Sequence, residues 1–261
     1  MHFFKEGPTK VIGHRGSPRK ALENTIESFD LAEADGADGF ELDVRLTSDG
    51  EAVVLHDAEA LLGDRRVPIA SLTMPDIEGS SIRNATFQGQ IPTLRDVFFR
   101  YRGQGRYLVE LKSGPSPKTG LLEFRVAALL VQLNLLERAL VISFSPDMLR
   151  RIMEIEPRIQ TGLTFDGTAY RPEGKLWPDL PTGCKAIGPN VALVSEKLFA
   201  DAKAADIGVH VWTVNEPELA GHLATLGAAS VITDVPDVVG PAVRAVTGAL
   251  SPMNLFETRS A

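Results

Sequence analysis

A chain of 261 residues with 44% hydrophobic and 23% charged side chains has enough apolar material for one large core, and it is far from the charge-rich balance of disordered sequences. With 27 basic against 34 acidic residues, a formal charge of −7 and no dense basic run, it is excluded as a non-specific nucleic-acid binder. A single cysteine, Cys184, excludes an internal disulfide, and no apolar run approaches the ~18 residues of an integral membrane segment, so a cytoplasmic protein is expected.

The first strand is expected at Lys10 to His14, followed by Gly13-His14-Arg15-Gly16. His14 can exchange protons near neutrality and Arg15 can clamp an anion, although a turn with incidental charges reads the same way. A helix over Asn24 to Ala34 leads to Gly36, a left-handed cap. The strand Gly39 to Val44 then places Glu41 and Asp43 on one face, because residues two apart on a strand point the same way. Two carboxylates in a buried layer need a cation or a basic partner; a strand end protruding into water is the alternative.

Thr47-Ser48-Asp49-Gly50 is a hairpin turn, so the strand Ala52 to His56 runs back antiparallel and brings His56 level with Glu41 to Asp43. Residues 57–92 are polar, broken by Gly63, Pro68, Pro75, Gly79 and Gly89, and too long for an ordinary connection. They are expected to be an insertion over the rim, with a solvated excursion as the alternative. A helix from the Thr93 cap to Arg102 precedes the strand Tyr107 to Lys112, where Glu110 and Lys112 repeat the period-two device. An ion pair between those two is the simpler reading. Three carboxylates, Glu41, Asp43 and Glu110, without clustered cysteines form a hard oxygen site suited to one divalent cation, magnesium or calcium.

Helices at Leu121 to Leu135 and Pro146 to Ile155 alternate with strands at Leu140 to Phe144, Gln160 to Phe165 and Lys185 to Pro189. A helix at Ser195 to Ala205, capped by Gly208, precedes the strand Val209 to Val214. Another at Glu216 to Leu226, capped by Gly227, precedes the strand Ser230 to Thr233, and the tail from Ser251 reads as loosely attached. Nine strands exceed the eight of a closed barrel by one, and the hairpin removes the ninth. The expected fold is α/β: a (β/α)8 TIM-type barrel with an extra hairpin strand and the 57–92 insertion, forming one catalytic domain over 1–261. Trp212, Asn215, Thr233 and Asp234 fall at the functional rim, where Trp212 forms an apolar wall or simply packs. His210 is expected to pack within its strand; His2 and His222 have no catalytic setting.

The run IGHRGSPRKALENTIESFDLAEADGADGFELDVRLTSDGEAVVLHD, followed in order by IPTLRDVF, VELK, ISF, HVWTVN and VITDVP, resembles the glycerophosphodiester phosphodiesterase family over roughly residues 10 to 237. The resemblance implies a divalent ion on Glu41, Asp43 and Glu110, acid/base catalysis by His14 and His56, and phosphate binding by Arg15 and Lys112. It places Glu23 and Asn24 in a supporting shell and implies a small-molecule glycerophosphodiester substrate, within glycerol and lipid metabolism. Leu22 stands where that family usually has proline. A lysophospholipase D-like enzyme acting on lipids is the neighbouring alternative, using Leu61, Leu62, Val67, Ile69 and Met74 as an apolar route. A non-catalytic barrel that binds phosphorylated ligands is the alternative from another class.

Overall fold

The computed structural model describes residues 7–79, 81–103, 105–114, 118–167 and 176–248. In chain order the elements begin with β1 (Lys10–His14), α1 (Ile26–Ala34), β2 (Gly39–Leu46) and β3 (Ala52–Val54). The excursion that follows holds β4 (Glu59–Leu62), β5 (Arg65–Pro68), α2 (Met74–Ile77), β6 (Ile82–Arg83) and β7 (Gln88–Gly89). Then come α3 (Leu94–Tyr101), β8 (Tyr107–Leu111), α4 (Leu121–Gln132), β9 (Ala139–Ser143), α5 (Pro146–Ile155) and β10 (Gln160–Phe165). The chain continues through β11 (Ala186–Pro189), α6 (Glu196–Ala204), β12 (Gly208–Val211), α7 (Pro217–Thr225), β13 (Ser230–Thr233) and α8 (Pro236–Thr247). The tail from Ser251 and His2 lie outside the described residues.

Eight parallel strands close in the order β1-β2-β8-β9-β10-β11-β12-β13, with β13 pairing back onto β1, and β3 adds antiparallel to the edge of β2. This is the (β/α)8 barrel with its extra hairpin strand. Strand alternation sorts the side chains into two shells. Phe40, Leu42 and Val44 of β2 and Tyr107, Val109 and Leu111 of β8 face outward into a core shared with α1, α3 and α4. Ile12, Leu108, Leu140, Ile142, Ala186 and Ile232 fill the barrel interior. Each interior residue is no more than 5% exposed, so the barrel is a packed core rather than a channel.

Helix starts follow the local chemistry. Thr93 Oγ1 accepts from Asp96 N while Asp96 Oδ2 accepts from Thr93 N, a reciprocal box that satisfies two otherwise orphaned donors at the start of α3. Pro146 and Pro236 occupy first-turn positions of α5 and α8, where a missing N–H costs nothing. Gly36 and Gly227 adopt the expected left-handed conformation, with φ of 80° and 90°. Gly208 does not: it opens β12, and the left-handed residue after α6 is Asp206, φ 58°.

Residues 57–92 are not a bare loop. The hairpins β4–β5 and β6–β7 fold around Ala60, Ile69, Leu72, Ile77, Ile82 and Ile91, a small core that also takes in Val53 and Leu22. Leu22, in the position where a proline was usual, therefore packs the barrel's first loop against this excursion. Among the described residues no helix is long and apolar enough to cross a membrane.

Candidate active site

The pairing of neighbouring strands sets the site. His14 aligns with Glu41 across β1–β2, and Asp43 with Glu110 across β2–β8, so the inward residues of three strands form one ring. One carboxylate oxygen from each of Glu41, Asp43 and Glu110 lies within 4.8 Å of the other two. Glu41 is 3% and Asp43 0% exposed, which rules out a strand end protruding into water.

Two cations meet these three acids. Lys112 Nζ lies 2.7 Å from Glu110 Oε1 and 3.4 Å from Asp43 Oδ1, so the anticipated Glu110–Lys112 pair exists within a larger cluster. Arg15 Nε is 3.1 Å from Asp43 Oδ2, and Arg15 Nη1 donates to Glu23 Oε1 at 2.9 Å. Burial, reinforced by the charges of Asp43 and Glu110, pushes Glu41 well above the usual carboxylate range. Burial also raises Glu110, with Asp43 adding to it. For Asp43 burial works in the same direction, but Arg15, Lys112, His56 and the Asn24 amide together outweigh it and hold the group below its ordinary value.

The cluster is thus short of positive charge. Glu41 Oε1 is buried and receives no hydrogen bond from the protein, and Asp43 Oδ1 has only the Lys112 ammonium, at 3.4 Å. Carboxylate oxygens stripped of water and left without donors are costly unless a cation takes them, and an all-oxygen donor set fits magnesium or calcium. Asn24 completes the support: its Nδ2 donates to Asp43 Oδ2 at 2.8 Å, and its Oδ1 accepts from Asp43 N at 3.2 Å. Arg15 and Asn24 hold positive φ, 55° and 59°, in the loop that turns both side chains onto Asp43.

Both histidines are anchored through the same nitrogen. His14 Nδ1 is 2.8 Å from Asp234 Oδ1, and Nε2 faces the acids, 3.9 Å from Glu41 Oε2. His56 Nδ1 is 2.9 Å from Asp57 Oδ1. A carboxylate can only accept, so each Nδ1 carries the proton of that hydrogen bond and the bond leaves Nε2 uncommitted. The hairpin brings His56 here because Leu55 N donates to Asp43 O at 3.0 Å, and Arg45 Nε holds the His56 carbonyl at 2.8 Å. Asp234 is itself fixed: Asn215 Nδ2 donates to its Oδ2 at 2.9 Å, and Asn215 Oδ1 accepts from Asp234 N. Sequence reading put Asp234 and Asn215 at the rim without a role. Their position just beyond a strand, the rule that singled out His14, was the available signal.

His14, Arg15, Glu41, His56, Glu110, Lys112 and Trp212 line one cavity of about 170 Å³. Trp212 Nε1 donates to Gly188 O at 2.8 Å, and its ring meets Phe144 edge-on at 5.6 Å, which makes an apolar wall. His210 sits deeper on β12, 2% exposed, with Nδ1 2.8 Å from Ser230 Oγ, and burial pushes its pKa down to about 3. An unfolded histidine titrates near ~6.5, so between there and about 3 the unfolded chain binds a proton that the native chain refuses. Native stability therefore falls as pH drops through this window. Urea unfolding at pH 7 and pH 5 is expected to show that His210→Gln loses about 2 kcal/mol less than the parent; equal losses would contradict the burial account.

Residues 14–238 match the model of the glycerophosphoryl diester phosphodiesterase family. The chain is 32% identical to YhdW of Bacillus subtilis (strain 168), over 88% of this chain and 96% of YhdW. It is also 32% identical to the glycerophosphodiester phosphodiesterase of Caldanaerobacter subterraneus subsp. tengcongensis, over 90% of this chain and 98% of that protein. A phosphodiesterase of Oleispira antarctica, solved in complex with the product sn-glycerol-3-phosphate, superposes with a TM-score of 0.73 at 25% identity, covering 90% and 97% of the two chains. By the family model over most of its length and by these relatives, the chain belongs to the glycerophosphoryl diester phosphodiesterase family.

Proposed function

We propose that this protein hydrolyses glycerophosphodiesters to glycerol phosphate and an alcohol, with Glu41, Asp43 and Glu110 holding one magnesium or calcium ion. The observation that supports it best is a cluster of three buried acids, two of which, Glu41 and Glu110, line one cavity with two imidazoles, each imidazole pinned by Nδ1 to its own carboxylate. When bound, the cation supplies Lewis-acid stabilisation of the charge that grows on the phosphoryl oxygens. Arg15 and Lys112 give the cavity fixed positive charge for a diester anion, and Glu23 and Asn24 hold Arg15 and Asp43 in register. One histidine accepts the nucleophile's proton at Nε2, and the other donates a proton to the departing alkoxide. Trp212 shields the organic arm from water. This reading places the activity in glycerol and lipid metabolism and in the cytoplasm, a reducing compartment with which the lone buried thiol of Cys184 is in keeping.

The lysolipid reading turns on an apolar approach beside the acid site. Leu62, Val67, Ile69 and Met74 pack into the excursion's own core, while Ile69 also lines a separate cavity of about 350 Å³ that meets the acid site at Lys112. A panel of glycerophosphocholine, lysophosphatidylcholine and a cyclic glycerol phosphate, run with magnesium or calcium, tests the proposal. Choline release from glycerophosphocholine is the expected outcome. Release from the lysolipid alone would transfer the protein to the lipid reading, and no turnover of any diester would leave a binding barrel.

A further inference from the structure

The cavity has a charged half and a neutral half. His14, Arg15 and the acid ring come from β1, β2 and β8, whereas Gly162, Thr164, Gly188 and His210 come from β10, β11 and β12. β10 lies four strands from β1 in either direction, so Thr164 faces the cavity from the side opposite His14. Thr164 is 5% exposed, and its Oγ1 makes no hydrogen bond within the protein. A buried hydroxyl without a partner is uncommon and calls for a reason.

The surrounding residues leave this hydroxyl open. A β-carbon at Gly188 would sit 3.2 Å from Thr164 Oγ1 and close over it, so the glycine keeps the group available from the cavity. The Trp212 indole N–H is already given to Gly188 O, and His210 Nδ1 is engaged with Ser230. At about 170 Å³ the space is below the ~300–1,000 Å³ of sites for drug-sized ligands and suits a short polyol. A phosphate anion is drawn to Arg15 and Lys112. The arm that reaches the neutral half loses its water there, and any hydroxyl on it needs a protein partner.

We propose that Thr164 is a specificity residue whose hydroxyl bonds a free hydroxyl of the substrate's glycerol arm, so that the site selects glycerol diesters over diesters of alcohols lacking that group. The inference rests on the phosphodiesterase reading above. A hydroxyl both donates and accepts, and a site built around such a bond discriminates strongly against an analogue that leaves it unmade.

The test compares kcat/KM for glycerophosphocholine with that for the choline phosphodiester of propane-1,2-diol, which lacks the terminal hydroxyl. The parent is expected to prefer the glycerol diester. In Thr164→Val, which keeps the shape and removes the hydroxyl, that preference should fall roughly tenfold, and Thr164→Ser should restore it. Gly188→Ala, which leaves Thr164 in place and covers it, should reduce the preference too, and stands in if the valine variant does not fold. A preference equal in the parent and Thr164→Val, or lost equally in Thr164→Ser, overturns the assignment. Failure of the parent to cleave glycerophosphocholine while it cleaves bis(p-nitrophenyl) phosphate overturns the functional reading itself, a separate result.

Discussion

Replacing either His14 or His56 with alanine is expected to lower kcat by ~100- to 10,000-fold, the usual worth of a positioned acid or base. The fold should survive both changes. The His56 side chain is 35% exposed on a loop, and its Nδ1 partner Asp57 is more exposed still. Removing the His14 ring leaves Asp234 with the Asn215 amide and a half-buried position, so no bare charge is stranded in the core. Steady-state kinetics with a melting curve for each variant separates chemistry from folding. A kcat near that of the parent in either variant would remove that histidine from the mechanism. Asp234→Asn is expected to fall between, because it keeps a neighbour for Nδ1 but can present the wrong group to it.

Stripping divalent ions with EDTA is the second large effect: turnover should drop to background and return on adding magnesium or calcium. Stability gives an independent readout. A ligand that binds only the native state stabilises it by about 2.7 kcal/mol at a hundred times its Kd, so the melting temperature should rise on addition of the ion. Glu41→Gln should abolish that rise, since Glu41 Oε1 is a buried acid oxygen that the protein leaves without a donor. Full activity in a preparation shown to be metal-free would refute the role given to the acids.

The parts of the site legible in the sequence are those written in local spacing. Glu41 with Asp43, and Glu110 with Lys112, share a face because strand geometry repeats every two residues, and Asp49-Gly50 announces the turn that returns His56. What escaped depends on closure. His14 and Asp234 are 220 residues apart and meet only because β13 pairs with β1. Thr164 looks like any strand threonine until the barrel places it across from the acids. The helix α8 was missed for a different reason: Gly240 and Pro241 lie inside it and interrupt the pattern that marks a helix. Gly208 misled because Asp206, a residue type that tolerates positive φ, takes the left-handed position.

The excursion between β3 and α3 leaves and rejoins the barrel at nearly one point, where Val54 N donates to Pro92 O at 2.9 Å and Val53 bridges to Thr93. A loop whose ends already touch can gain or shed residues at little entropic expense, provided the contacts of its core with Leu22 and Val53 are kept. His56 stands at the threshold of this appendage and lines the acid cavity, whereas none of the cavity's described lining residues comes from 58–92, so a longer or shorter segment there is expected to leave the phosphorus chemistry as it is.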